Sequence, residues 1–262
     1  MISFCITTYN TADTIKEFSK ALNDISFEHE IIAVDNLSSD QTAKILQECF
    51  ADRITIIQAR CTRGRGREIA FEKSKGDYVV FLDADVLYFN LQENIEKMIN
   101  EFPDKFVLLS GKEKSTLMTL VSRKLLTQIG GFPDLNFLED QYVWEIAKSL
   151  GVFKEVNHLE YFAQNIVRQN KTSDRHSEAR YEKSFILLMK RRILITRDII
   201  FVRSFNYKEL LAFYGTSRDP RGKIITLALY ILARFLQFSV KIPSPGEKII
   251  MIKKSLQEGK IT

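Results

Sequence analysis

Four short apolar runs separated by stretches of helical spacing decide what this chain can become. The runs are Ile2 to Thr7, Glu30 to Asp35, Ile54 to Ala59 and Tyr78 to Leu82. Between them lie Thr14 to Leu22, with Ile15, Phe18 and Leu22 on one face, then Thr42 to Phe50 and Arg67 to Ser74. An unbroken apolar run of this length reads as a strand buried on both faces. Strands alternating with helices read as βαβ units, so the expected class is α/β, a mostly parallel sheet with helices on both faces. Farther on, the spacing predicts a helix over Leu91 to Phe102 and strands at Phe106 to Ser110 and Leu117 to Ser122. A short helix over Leu125 to Gly131 and another from Gln141 to Leu150, stopped by Gly151, complete the pattern.

Right-handed crossovers bring the carboxyl ends of the first four strands to one edge, the place where ligands bind in open α/β sheets. The residues expected there are Thr7-Thr8-Tyr9, Asp35-Asn36, a basic loop around Arg63 and Asp83-Ala84-Asp85. In extended backbone the spacing of Asp83 and Asp85 puts both carboxylates on one side. Their repulsion is relieved by a divalent cation, which takes oxygen ligands from one or two carboxylates plus substrate phosphates. Two solvated acids at a strand stop are the plainer alternative. Gly64 and Gly66 fall in the basic loop with Arg60, Arg63, Arg65 and Arg67, where close backbone approach and arginines suit an anion such as a diphosphate. The dinucleotide fingerprint fails, because it needs glycine where Ile69 stands and belongs at the first strand–helix turn. Both failures argue against a nicotinamide enzyme. Glu139 and Asp140 precede the helix from Gln141. Acids there cap the helix, and the same dipole keeps a general base ionised.

Charge divides the chain. Residues 1–164 hold 18 basic and 25 acidic side chains, and residues 165–262 hold 20 and 8, so an acidic front carries a basic tail that faces something anionic. In the tail, Lys190-Arg191-Arg192 interrupts apolar runs, and Ile224 to Val240 is the most apolar stretch, broken by Arg234 and Gln237. That run is shorter than the roughly 20 residues of a membrane span. It suits an interfacial helix on anionic lipid, or a helix that closes the core with its basic residues solvated. Cys5, Cys49 and Cys61 are scattered, which fits a reducing compartment and no zinc site. With no signal-peptide pattern at Met1 to Asn10, the expected location is cytoplasmic, peripheral on the membrane's cytoplasmic face if the tail meets lipid.

Taken in order, these motifs resemble family-2 glycosyltransferases of the GT-A fold. The resemblance rests on Ile6 to Asn10, Val34 to Thr42, Arg63-Gly64-Arg65-Gly66-Arg67, Lys75 to Asp85 and the later Glu139-Asp140, and it covers roughly residues 1–165. It implies a GT-A catalytic domain over 1–165 and a basic helical C-terminal segment over 166–262. It also implies an inverting, metal-dependent transfer of one sugar from a nucleotide-diphosphate sugar to a hydroxyl of a glycan or lipid-linked acceptor. By resemblance Thr7, Tyr9, Asp35, Asn36, Arg63, Arg67 and Asp83 hold the nucleotide sugar. Asp85, with Asp83 and His158, ligates Mn2+ or Mg2+, and Asp140 beside Glu139 takes the acceptor's proton. The family often has a second acid and a glycine after the first, where this chain has Asn36 and Leu37, so the base is left open between uracil and guanine. The Gln-x-x-Arg-Trp motif of processive synthases is absent, which points to single transfer. Two other readings stay open here. A nucleotidyltransferase wants a glycine-rich loop directly after the first strand, where Thr7-Thr8-Tyr9-Asn10 stands. A non-catalytic binder of anionic surfaces or nucleic acid would use the tail, but the tail lacks interleaved aromatics on a strand platform, so no nucleic acid partner is expected.

Overall fold

The computed structural model describes residues 1–111, 116–157, 163–165, 185–215, 220–237 and 240–258. Four parallel strands come first: β1 (Ile2–Thr8), β2 (His29–Asp35), β3 (Ile54–Gln58) and β4 (Tyr78–Asp83). Three more, β6 (Phe106–Ser110), β7 (Thr116–Ser122) and β8 (Phe153–Asn157), extend them into a seven-stranded sheet of order β3-β2-β1-β4-β7-β6-β8. Strand β7 runs antiparallel to both neighbours, which makes the sheet mixed. A second, two-stranded sheet pairs β5 (Val86–Tyr88) with β9 (Ala163–Asn165).

Alternation along each central strand feeds two cores. Phe4, Ile6, Ile31, Ala33, Val80 and Leu82 point to one face, covered by α1 (Ile15–Asn23), α2 (Thr42–Phe50) and α4 (Leu91–Glu101). Cys5, Ile32, Val34, Val79 and Phe81 point to the other, covered by α3 (Arg63–Lys73), α5 (Arg123–Ile129) and α6 (Glu139–Ser149). The continuous apolar runs therefore reflect burial on both faces. The C-terminal helices are α7 (Phe185–Arg203), α8 (Tyr207–Phe213), α9 (Pro220–Gln237) and α10 (Pro245–Gln257). Phe201, Val202 and Ile252 from α7 and α10 join the second core, so the tail helices share it with the sheet.

Several expectations are corrected. The helix expected from Arg67 begins at Arg63, because Thr62 in extended conformation accepts from the Arg65 amide and caps it. The helix expected from Gln141 begins at Glu139, after Leu138 in the left-handed region (φ +61°). Lys190-Arg191-Arg192 lies within one continuous helix, α7. Strands β5, β8 and β9 were not expected from the sequence pattern. No helix among the described residues is long and apolar enough to cross a membrane.

Candidate active site

The ends of the parallel strands meet in register, Thr7 opposite Asp83 across β1 and β4, and Thr8 opposite Asp35 across β1 and β2. Asp35 is fully buried there. Its oxygens accept from the Thr8 hydroxyl at 2.9 Å and from the Ser38 amide at 2.9 Å, and from the Ser38 hydroxyl as well. Asn36 Oδ1 accepts from the Cys61 amide at 3.0 Å. Asp35 and Asn36 thus knit the loops after β1, β2 and β3, and Asp35 has no open face in this arrangement. Thr7 at the end of β1 and Tyr9 just after it are half-buried.

Helix α3 carries the site's arginines. Gly64 and Gly66 occupy its first turn, not a loop, and both face protein. A Cβ on Gly64 would overlap the Pro133 carbonyl oxygen, and its amide donates to the Leu135 carbonyl at 3.0 Å. A Cβ on Gly66 would lie 3.2 Å from Thr7 Cγ2. The glycines allow α3 to press against β1 and against the segment leading into α6; anion contact is not their role in this arrangement. Arg67 is consequently drawn inside, its side chain 6 % exposed. Its guanidinium lies 3.4 Å from Glu139, 3.6 Å from Asp83 and 3.9 Å from Asp140, with the Phe132 ring 5.6 Å from its Cζ. Rather than opening onto a diphosphate, Arg67 ties the end of β4 to the start of α6. Arg63 remains largely exposed, 3.8 Å from Glu139.

The two adjacent acids have unlike surroundings. The Glu139 side chain is 1 % exposed, and neither of its oxygens has a hydrogen-bond partner, its contact with Arg67 being an ion pair outside hydrogen-bond geometry. Burial pushes its carboxyl up to about 7, against the pull of Arg67 and Arg63 and with the push of Asp140. The Asp140 side chain is 18 % exposed. It accepts from the Thr116 hydroxyl at 2.9 Å and from the Gln141 amide at 2.7 Å, in the first turn of α6 where the helix dipole favours a negative charge. Of the pair, Asp140 is the one open to a substrate; Glu139 lies in the floor beside Arg67.

Asp83 receives a further hold, because its amide donates to Tyr88 Oη at 3.1 Å and Tyr88 donates to the Leu117 carbonyl. Asp85 is half-buried in the turn after β4, so the extended backbone expected to align it with Asp83 ends at Asp83, two residues short of it. Among the described residues no three His, Cys, Asp or Glu side chains are grouped as a metal site. His158, expected beside the metal, lies outside the described residues. Asp83 and Asp85, partly exposed at and after the end of β4, are hard oxygen donors, and such a pair suits Mn2+ or Mg2+ when substrate phosphates supply further ligands.

Three positions that hold these acids and the loop before them carried no signal in the sequence: Thr116, Tyr88 and Asp198. Asp198 on α7 is buried and accepts from the Asn136 and Phe137 amides at 2.9 and 3.2 Å, three and two residues before Glu139. A lone acid in a basic helix carries no local signal of that role.

The family model described as Glycosyl transferase family 2 matches residues 3–143, more than half of the 262 residues. Among curated proteins, the undecaprenyl-phosphate 4-deoxy-4-formamido-L-arabinose transferase of Pseudomonas fluorescens (strain SBW25) is 30% identical over 109 residues, 38% of this chain and 31% of that protein. The UDP-Glc:alpha-D-GlcNAc-diphosphoundecaprenol beta-1,3-glucosyltransferase WfaP of Escherichia coli is 34% identical over 88 residues, 32% of this chain and 35% of that protein. The match thus spans about a third of the length of these relatives. Among solved structures, S. aureus TarS 1-349 with UDP-GlcNAc aligns with a TM-score of 0.58 at 16% identity, covering 98% of this chain and 92% of that one. Mannosyltransferase PcManGT of Pyrobaculum calidifontis, solved with GDP-Man and Mn2+, aligns with a TM-score of 0.54 at 16% identity, covering 97% and 79%. At that identity the likeness establishes the fold.

Proposed function

This chain belongs to glycosyl transferase family 2, and we propose that it moves one sugar, with inversion, from a nucleoside-diphosphate sugar to a hydroxyl of a glycan or lipid-linked acceptor. The observation that carries this reading is Asp140, 18 % exposed beside Arg67 and the end of β4, and held by the Thr116 hydroxyl and the start of α6. A hydroxyl attacking an anomeric carbon needs its proton removed, and a fixed carboxylate within reach does that. A single displacement inverts the configuration. A lipid phosphate is already anionic and needs no base, so the acid favours a hydroxyl acceptor. The lipid-linked alternative draws support from the relatives, whose names include undecaprenyl-phosphate and diphosphoundecaprenol.

On the donor side, Thr7, Tyr9 and Asn36 border the strand ends, and Asp35 acts through the loops it ties. Arg63, exposed at the start of α3, is the arginine able to meet a diphosphate. Arg67 acts by holding Asp83 and Asp140 at a fixed separation. Asp83 and Asp85 would hold Mn2+ or Mg2+ with the diphosphate, and the metal when bound supplies charge neutralisation at the leaving nucleoside diphosphate.

The test is a thermal-shift screen of UDP- and GDP-sugars with and without Mn2+, on the unmodified protein, Asp85→Ala and Asp140→Asn. One donor should stabilise the unmodified protein and Asp140→Asn alike in a metal-dependent way, and should fail on Asp85→Ala. Transfer by Asp140→Asn should fall by about 10²- to 10⁴-fold. Full transfer by Asp140→Asn, or no response to any donor, would sink the reading.

A further inference from the structure

Helix α9 wears its apolar residues on the wrong side for a helix that merely closes a core. Gly222, Thr226, Leu229 and Ala233 are buried, and this narrow face packs on α7 and α8. Away from it, Ile224, Ile231 and Phe235 are 70, 58 and 77 % exposed, with Leu227 exposed between them. Steps of three and four residues put these four on one helical face. A lone exposed leucine needs no explanation. A stripe of bulky apolar side chains about 17 Å long does, because contiguous apolar surface marks an interaction site.

Charge identifies what the stripe meets. Nothing charged stands between Lys223 and Arg234, and no acidic residue occurs in Pro220 to Gln237. Arg221 and Lys223 lie at one end of the stripe and Arg234 at the other. A second copy paired across a two-fold axis would run antiparallel along this face, bringing Arg234 against the partner's equivalent of the Arg221–Lys223 end. No carboxylate on the helix would answer that repulsion. An anionic lipid surface suits the cationic ends of the helix, Lys223 at one and Arg234 at the other, and accepts the apolar stripe between them.

We propose that this face of α9 docks peripherally on an anionic lipid surface, with Ile224, Leu227, Ile231 and Phe235 entering the headgroup–acyl boundary. Docking does not depend on the transfer reaction. Its consequence does rest on the function proposed above: α9 packs on α7, and α7 holds the loop before Asp140 through Asp198. The loop before Asp140 is thereby tied to the lipid-facing side of the molecule, where a lipid-linked acceptor would arrive.

The experiment is flotation of the full chain with vesicles of phosphatidylcholine alone or mixed with phosphatidylglycerol. The unmodified protein should partition at least tenfold more onto the anionic vesicles. The double variant Ile231→Ser/Phe235→Ser should lose at least tenfold of that binding at an unchanged melting temperature, while keeping donor-induced stabilisation. No preference for anionic vesicles overturns the proposal, as does undiminished binding by the double variant. A dimer in light scattering that the double variant converts to monomer also overturns it and makes the face a self-interface. Failure of the donor response alone counts against the transferase reading and leaves the docking result standing.

Discussion

One guanidinium among three carboxylates cannot satisfy them all, and at Arg67 the balance falls on Glu139. Asp83 and Asp140 keep water on one side, whereas Glu139 is sealed in. Its carboxyl is pushed up to about 7, chiefly by burial, while an unfolded glutamate titrates near ~4.3. Between those values the native state binds more protons than the unfolded chain, so stability falls as pH rises. The contribution is whole below about pH 4.3 and gone above about pH 7. Glu139→Gln cannot titrate there. Urea unfolding from pH 5 to 8 should show the unmodified protein losing stability relative to Glu139→Gln, by roughly 1–3 kcal/mol across that window. A difference that stays constant with pH would mean Glu139 is ionised throughout, held by Arg67 and Arg63.

The first turn of α3 shows an element built against its own propensity. Arg-Gly-Arg-Gly-Arg reads as a loop because glycine costs about 1 kcal/mol in a helix relative to alanine. Tertiary packing overrides that cost: Thr62 caps the helix, and Gly64 admits the Pro133 carbonyl into the space a side chain would occupy. Gly64→Ala should therefore destabilise by about 1–3 kcal/mol despite its better helix propensity. Gly246, near the start of α10, has nothing within 4 Å of a Cβ position. Gly246→Ala should be neutral or stabilising by up to about 1 kcal/mol, and denaturant midpoints of the two variants decide the matter. The same contrast explains what was legible in the sequence. Strands β1, β2 and β4 could be read because burial on both faces makes them continuous apolar runs. Strand β8 could not, since only Val156 of Phe153–Asn157 is buried, and β5 and β9 are three residues each. The site's acids and arginines were legible as residue types at strand and helix ends. Their roles were not: whether Arg67 and Glu139 face water or each other depends on the approach of Pro133, which no local pattern encodes.

At the scale of the whole molecule, the basic tail braces the helix that carries Asp140 and the loop before it. Tyr142 on α6 donates to the Pro243 carbonyl at 2.8 Å, and Arg203 on α7 donates to Gln141 Oε1 at 2.9 Å, so the helix bearing Asp140 is gripped from two sides. The firmest of these holds is Asp198, one of whose oxygens takes both loop amides while the other meets Arg197 at 2.6 Å. Burial raises its carboxyl, and Arg197 with the two amides opposes that rise. Asp198→Ala would leave those amides without their acceptor and loosen the entry to α6. The partners of Asp198 are Asn136, Phe137 and Arg197, none of them a strand-end residue proposed to border the donor, so donor binding should persist. A displacement of about 1 Å in a reacting group costs on the order of 10²-fold in rate. The expected result for Asp198→Ala is therefore a kcat lowered by roughly 10- to 100-fold with donor KM and donor-induced stabilisation unchanged. Asp198→Asn keeps one acceptor oxygen and should recover part of the rate. If donor binding falls in step with kcat, Asp198 supports the fold as a whole; if the two separate and asparagine rescues, a helix of the tail sets the position of the base.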